Sequence, residues 1–200
     1  MTENLMFHDG NRRLQDQFDS RRIADRLVEK LTRVAFSDGD RAFIEGAMFF
    51  FLATSDDRGR PDCSFKGGTA GFVRIVGADE LAFPDYDGNG MFKSLGNITV
   101  NPSVGMLFID MGEKPRRLRV NGEARVSDDD PLMKTFPGAQ LLVRVKARAI
   151  FPNCPRYIVT PGTTEPSQYA PRPGYEPPEP TWKGFDDFKD YVPPRRPASP

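Results

Sequence analysis

LAFPDYDGNGMFKSLGNITVNP, residues 81–102, carries three successive backbone instructions. Glu80, Leu81, Ala82 and Phe83 read as a strand that breaks at Pro84, since proline has no N–H to give to a ladder. Asp85, Tyr86, Asp87, Gly88, Asn89 and Gly90 make a polar turn. From Met91 to about Val100 the apolar Met91, Leu95 and Ile98 recur at helical spacing, while Lys93, Ser94 and Asn97 face elsewhere. Asn101-Pro102 ends that helix. A glycine-rich turn feeding a helix leaves backbone N–H groups unpaired at the helix start. With the helix dipole, a lysine and a hydroxyl in the first turn, such a site suits a phosphate; a plain strand–turn–helix link has the same outline.

Working outward, the flanking segments read as strands. Residues 48–54 form an apolar strand, 55–60 a loop of hairpin length, and 61–66 the returning strand. On the returning strand Asp62, Ser64 and Lys66 share one face, Cys63 and Phe65 the other. Gly67-Gly68 marks a bulge or bend where backbone approaches a ligand closely. Residues 72–76 resume a strand and turn through Gly77-Ala78-Asp79 into 81–83. After the helix, 103–111 is a strand, 112–115 a turn, and 116–126 a strand of strict alternation. Its apolar face carries Leu118, Val120, Gly122 and Ala124, its polar face Arg117, Arg119, Asn121 and Glu123. Residues 128–136 read as a short acid-capped helix. Residues 139–151 read as a long strand with Leu141, Val143, Val145, Ala147 and Ala149 on one face. Six or seven strands in hairpin order, with helices at their ends, make a mainly β chain: an antiparallel barrel with peripheral helices.

The ends differ from this centre. Residues 11–36 hold Leu14, Phe18, Ile23, Leu27, Leu31 and Val34 amid dense charge, which is one or two surface helices broken near Asp19-Ser20. Ser37 with Asp40 starts another short helix over 38–45. Eleven of nineteen prolines lie from Pro161 onward, so the tail is neither a central strand nor a long helix. Its aromatics Tyr169, Tyr175, Trp182, Phe185, Phe188 and Tyr191 argue for a segment laid over folded surface, that of a partner subunit by preference. Trp182, Phe185 and Phe188 are the expected docking side chains. Three parts follow: a helical extension at 1–42, a barrel at 43–160 and a proline-rich tail at 161–200.

Composition narrows the function. With 28 basic and 28 acidic residues in 200, there is no electrostatic footprint for nucleic acid or an anionic membrane. The longest apolar run, 47–53, is far short of a membrane span, and no secretion signal opens the chain. Cys63 and Cys154 are two reduced thiols of a cytoplasmic protein rather than a disulfide framework or zinc site. A single histidine, His8, excludes a histidine-rich metal centre. Arg117 and Arg119 reach one anionic or carbonyl-rich surface, or form a salt-bridge ladder with a neighbouring strand.

In order, FFLATSDDRGRPDCSFKGG (50–68), GFVRIV (71–76), residues 81–102, VGMLFID (104–110) and RRLRVNGEARV (116–126) resemble the pyridoxamine 5'-phosphate oxidase-like, FMN-binding split-barrel family. The resemblance covers about residues 43–158. It is closest to a bacterial subgroup that also has NRRLQDQFDSRR (11–22), VRVKARAIFPNCPRYI (143–158) and a proline-rich tail. It implies a homodimer with FMN at the interface and a small-molecule substrate. Ser64, Phe65, Lys66 and Gly67 would line the flavin, and Lys93 and Ser94 would hold its phosphate. Asp85 and Asn89 would present backbone to the ring, while Arg117, with Arg119 beside it, takes the place of a glutamine at the flavin edge. Ser64 stands where the oxidases carry arginine and Ser94 where they carry lysine, which weakens the phosphate grip; Lys66 restores part of it. The oxidases' substrate-phosphate residues and C-terminal arginine-histidine motif have no match. The expectation is an FMN-dependent oxidoreductase passing hydride between flavin and a small organic substrate or reduced nicotinamide. The alternative is a non-catalytic flavin, deazaflavin or haem-binding protein of the same fold.

Overall fold

Seven strands follow one another in a single antiparallel sheet: β1 (Phe49–Ser55), β2 (Pro61–Gly67), β3 (Arg74–Ile75), β4 (Glu80–Asp85), β5 (Ser103–Asp110), β6 (Arg116–Ser127) and β7 (Leu141–Asn153). This computed structural model describes residues 6–112, 114–159, 168 and 175–193. The ladder order is β2-β1-β5-β6-β7-β4-β3. In a flat sheet β1 and β4, four places apart, would be about 19 Å from each other. Yet the Phe50 ring on β1 lies 5.0 Å from that of Phe83 on β4 and 5.1 Å from Phe108 on β5. The sheet is therefore rolled around one apolar core, in which Phe50, Leu52, Leu81, Phe83, Phe108 and Val120 are fully buried. No β2–β3 ladder closes the roll among the described residues, and the architecture is a split β-barrel.

The β6–β7 pair supplies much of the curvature. Asn121 pairs with Ala149 and Gly122 with Ala147, so Arg148 is an extra residue in β7. A bulge of this kind bends the strand and sharpens its twist. It also shifts the side-chain phase. Val143, Val145 and Ala147 enter the core as the alternation of 139–151 predicts, but beyond the bulge Ile150 takes the core position in place of Ala149. Leu142 joins Ala82 and Phe136 in a smaller cluster.

Several boundaries move for identifiable reasons. The strand expected to break at Pro84 runs through it to Asp85, paired with β7. β3 reaches β4 only at Leu81 and Ala82, so one side of Pro84 is an open edge where a missing N–H loses no ladder bond. The strand expected over 72–76 is only Arg74–Ile75, because Phe72 and Val73 are drawn into the core from a bend. The helix after the polar turn, α4 (Lys93–Val100), begins two residues late, leaving Met91 outside it and 71% exposed. The acid-capped segment is a single 3-10 turn, Pro131–Thr135, whose cap Asp130 accepts from Leu132 N–H and pairs with Arg144 at 2.5 Å.

The chain divides into two units, Arg33–Thr163 and the pair Met1–Thr32 with Thr164–Pro200. The division falls at Thr32/Arg33, and Arg33 exchanges backbone hydrogen bonds with Ile150 in its own unit. Arg33 also forks onto Asp40 at 2.7 Å, and Asp40 closes the capping box with Ser37 that opens α3 (Asp38–Gly46).

In the second unit α1 (Asp9–Gln17) and α2 (Arg21–Leu31) are separated by Asp19 in left-handed conformation. The charged face of α2 holds the tail of its own chain. Arg26 donates to the Asp187 carbonyl at 2.9 Å, Lys30 pairs with Asp187 at 3.1 Å, and Arg22 and Arg26 both lie over the Tyr191 ring. Phe188 is buried edge-on to Trp182, whereas Phe185, expected to dock, is 55% exposed. Tyr169 lies outside the described residues. Among the described residues no helix is long and apolar enough to cross a membrane, and no group of histidines, cysteines and carboxylates is placed to hold a metal.

The bulge gives a sharp test. A Cβ on Gly122 would fall 2.2 Å from the Lys146 carbonyl oxygen, whereas one on Gly105 would meet nothing closer than 3.8 Å. Gly122→Ala is expected to cost about 3 kcal/mol in urea unfolding and Gly105→Ala well under about 1 kcal/mol.

Candidate functional site

The alternation of β2 turns Asp62, Ser64 and Lys66 to one side, and that side meets the start of α4. Ser94 Oγ donates to Asp62 Oδ2 at 2.9 Å and lies 2.9 Å from Ser64 Oγ. One hydroxyl carries one hydrogen, so donating to the carboxylate leaves the Ser64–Ser94 contact to the hydrogen of Ser64. Lys66 Nζ stands 3.6 Å from Asp85 Oδ1, both side chains largely out of solvent.

Between β4 and α4 the chain reverses tightly. Asn89 accepts from Met91 N–H at 3.0 Å, and Gly90 and Phe92 both take positive φ, 72° and 46°. Glycine adopts that region freely; phenylalanine does so at a cost that the packed helix sustains. Phe92 is the N-cap, with no side chain capping the helix, and the first helical bond runs from Gly96 N–H to its carbonyl at 2.7 Å. The N–H groups of Lys93, Ser94 and Leu95 are thus the orphan donors of the first turn. The Lys93 ammonium has no ion-pair partner among the described residues. α4 is fixed from below by Leu95 and Ile98 in the core and by Asn97 Nδ2 donating to Thr54 Oγ1 at 3.0 Å, both residues buried.

These pieces enclose a cleft of about 620 Å³, within the usual size of a small-molecule site. It unites Ser64, Phe65, Lys66, Asp85, Asn89, Lys93 and Ser94. Gly67 ends β2 just beyond it. Arg117 and Arg119 do not reach it in this chain. Arg117 borders a separate cavity of about 400 Å³ with Arg33, Phe43 and Asn153, and there it donates to the Cys154 carbonyl. Arg119 is exposed, opposite Leu107 of β5. Sequence reading missed Asp62, Met91, Phe92 and Gln140 as cleft residues. Asp62 was legible, since it shares a face with Ser64 and Lys66. Gln140 was not, because the β4–β7 pairing brings it in, its N–H bonding the Asp85 carbonyl at 2.8 Å.

The class this defines is a split β-barrel in which an uncapped helix start opens onto a polar cleft. The family model described as pyridoxamine 5'-phosphate oxidase matches residues 36–164, and the chain belongs to that family. Among solved structures, a Lactobacillus delbrueckii protein described as a candidate pyridoxamine 5'-phosphate oxidase is 21% identical, with 60% of this chain and 95% of that one covered at a TM-score of 0.46. HutZ, a haem storage protein of Vibrio cholerae, is 19% identical, covering 58% and 94% at 0.44. An FMN-binding protein of Syntrophomonas wolfei is 15% identical, covering 73% and 96% at 0.41. No curated protein matches the chain.

The Asn97–Thr54 bond positions the helix start, and breaking it on one side strands a buried hydroxyl. Asn97→Ala is expected to lose about 1–3 kcal/mol of stability. Adding Thr54→Val should return part of that loss in the same unfolding measurement.

Proposed function

We propose that the protein binds FMN in this cleft and works as an FMN-dependent oxidoreductase. The observation that carries the reading is the uncapped start of α4, with three orphan N–H donors beside the Lys93 ammonium, which has no ion-pair partner among the described residues. Donors of that kind, at the positive end of a helix, suit a phosphate. Ser64 adds a hydroxyl at the same end, and Phe65, Tyr86, Met91 and Phe92 give the cleft apolar wall for a planar ring. The donor set therefore fits a flavin phosphate; of the cleft's carboxylates, Asp85 is paired with Lys66, Asp87 lies on the turn beside Gln140, and Asp62 is the one bonded to the start of α4. The flavin, when bound, supplies hydride transfer to or from a small organic substrate or reduced nicotinamide. Lys93, Ser94 and Ser64 would anchor the phosphate and Phe65, Tyr86, Met91 and Phe92 would wall the ring, while Lys66 is paired with Asp85. Haem storage is the less favoured reading: the only histidine, His8, is occupied in capping α1, where it accepts from Gly10 N–H.

The active form in this reading is a homodimer with flavin sites at the interface. A cross-strand row, Phe65–Phe51–Leu107–Arg119, runs over the outside of β2, β1, β5 and β6. Phe65 is 62% exposed and stacks on Phe49 at 5.3 Å. An apolar face of this kind marks an interaction surface, and Phe65 belongs to both the face and the cleft. A second copy seated there covers the aromatics and brings its Arg117 and Arg119 toward the flavin edge.

FMN titrated into the purified protein is expected to show saturable quenching of flavin fluorescence and shifted absorption bands. Lys93→Ala should weaken FMN roughly ten- to hundredfold, through loss of a charge-assisted contact worth ~1.5–3 kcal/mol, and change riboflavin little. No quenching by FMN, or equal losses for both ligands, would refute the phosphate site. Phe65→Glu should shift the sedimentation velocity from dimer to monomer; an unchanged wild-type-like monomer or dimer in both proteins would exclude this face.

A further inference from the structure

We infer that Asp62 is a specificity-determining residue of the cleft, a built-in anion that competes with the ligand phosphate for the start of α4. The inference rests on the flavin reading above and concerns how strongly the cleft accepts a doubly charged phosphate. Three observations place the competition. Asp62 Oδ2 takes the Ser94 hydroxyl at 2.9 Å, and Ser94 is the second residue of α4. Its carboxylate has no cationic partner among the described residues, because Lys66, two positions along the same strand face, pairs with Asp85, while Lys93 forms no ion pair. Ser64, the other hydroxyl at this end, stands 2.9 Å from Ser94 and belongs to the same cluster.

A carboxylate beside a helix N-terminus is itself stabilised by the orphan N–H groups and the dipole. In the absence of ligand, Asp62 therefore occupies the electrostatic role a phosphate would take. A phosphate monoester near neutral pH carries between one and a half and two negative charges. When it enters, it meets the donors of α4 and Lys93, and the fixed charge of Asp62 beside them. Coulomb repulsion over a few ångströms in a partly desolvated cleft is large enough to change affinity by an order of magnitude. Riboflavin, with no phosphate, does not meet this charge at the donor end. The ratio of FMN to riboflavin affinity is thus set by Lys93 pulling and Asp62 pushing, and removing the push is expected to improve binding.

Asp62→Asn keeps the size of the side chain and leaves an amide oxygen able to accept from Ser94. Fluorescence titrations of wild type and Asp62→Asn with FMN and with riboflavin are the test. The expected result is FMN bound about tenfold or more tightly by the variant, with riboflavin within about twofold. Asp62→Ser, which also removes the charge, should move FMN in the same direction, and thermal melts of both variants show whether each is folded. FMN affinity unchanged or weakened in folded Asp62→Asn and Asp62→Ser overturns the inference while leaving the flavin reading standing. An equal gain for FMN and riboflavin also overturns it, since the charge would then act on the ring and not on the phosphate. Absence of binding of either flavin to all three proteins defeats the flavin reading and this inference together.

Discussion

The close passage of Gly122 against the Lys146 carbonyl is the constraint on which the rest of the barrel depends. It lets β7 carry one more residue than β6, and the resulting bend helps carry the sheet round until Phe83 meets Phe50. Without that curvature the two ends of the ladder would present separate apolar faces to water. With it, they share one core, and β4 and β2 come near enough for Asp85 and Lys66 to pair across the mouth of the cleft. The cleft is a product of the rolling, not a separate device added to it.

Strand existence was legible because alternation is a local property. The 116–126 strand sends Leu118, Val120 and Ala124 inward as its pattern requires, and α3 begins at the Ser37–Asp40 box that its residues spell out. What escaped local reading was anything decided by a neighbour. Pro84 stays in a strand because β3 stops short of it, and Ile150 replaces Ala149 in the core because the partner strand is one residue shorter. Met91 has helical spacing from Leu95, but the left-handed Phe92 comes between them and puts it outside the helix. Each of these is a contest between a residue's own preference and the geometry of a distant segment.

The site divides along the same line. β2 alternation and the turn–helix pattern place Ser64, Lys66, Lys93 and Ser94 together, as the sequence implies. Arg117 was grouped with them by resemblance and Arg119 by its place on the same strand face, and within one chain they stand on a different part of the barrel. The end of the cleft at the start of α4 sets opposed charges side by side. Helix dipole and ammonium attract, a carboxylate on the adjacent strand repels, and two serines stand between them, able to bond to either anion. In the proposed flavin site, such an arrangement would tie ligand preference to the number of charges a ligand brings as much as to its shape.

The contacts between α2 and the tail have a meaning in time as well as in space. Arg26 and Asp187 are 161 positions apart, and the intervening chain folds around its own core. During synthesis α1 and α2 emerge well before the segment that carries Asp187 and must wait for it. Closing so long a loop costs only slightly more entropy than closing one half its length, so the delay is set by translation and not by chain statistics. Helices made early are thus completed only when a segment made much later reaches them.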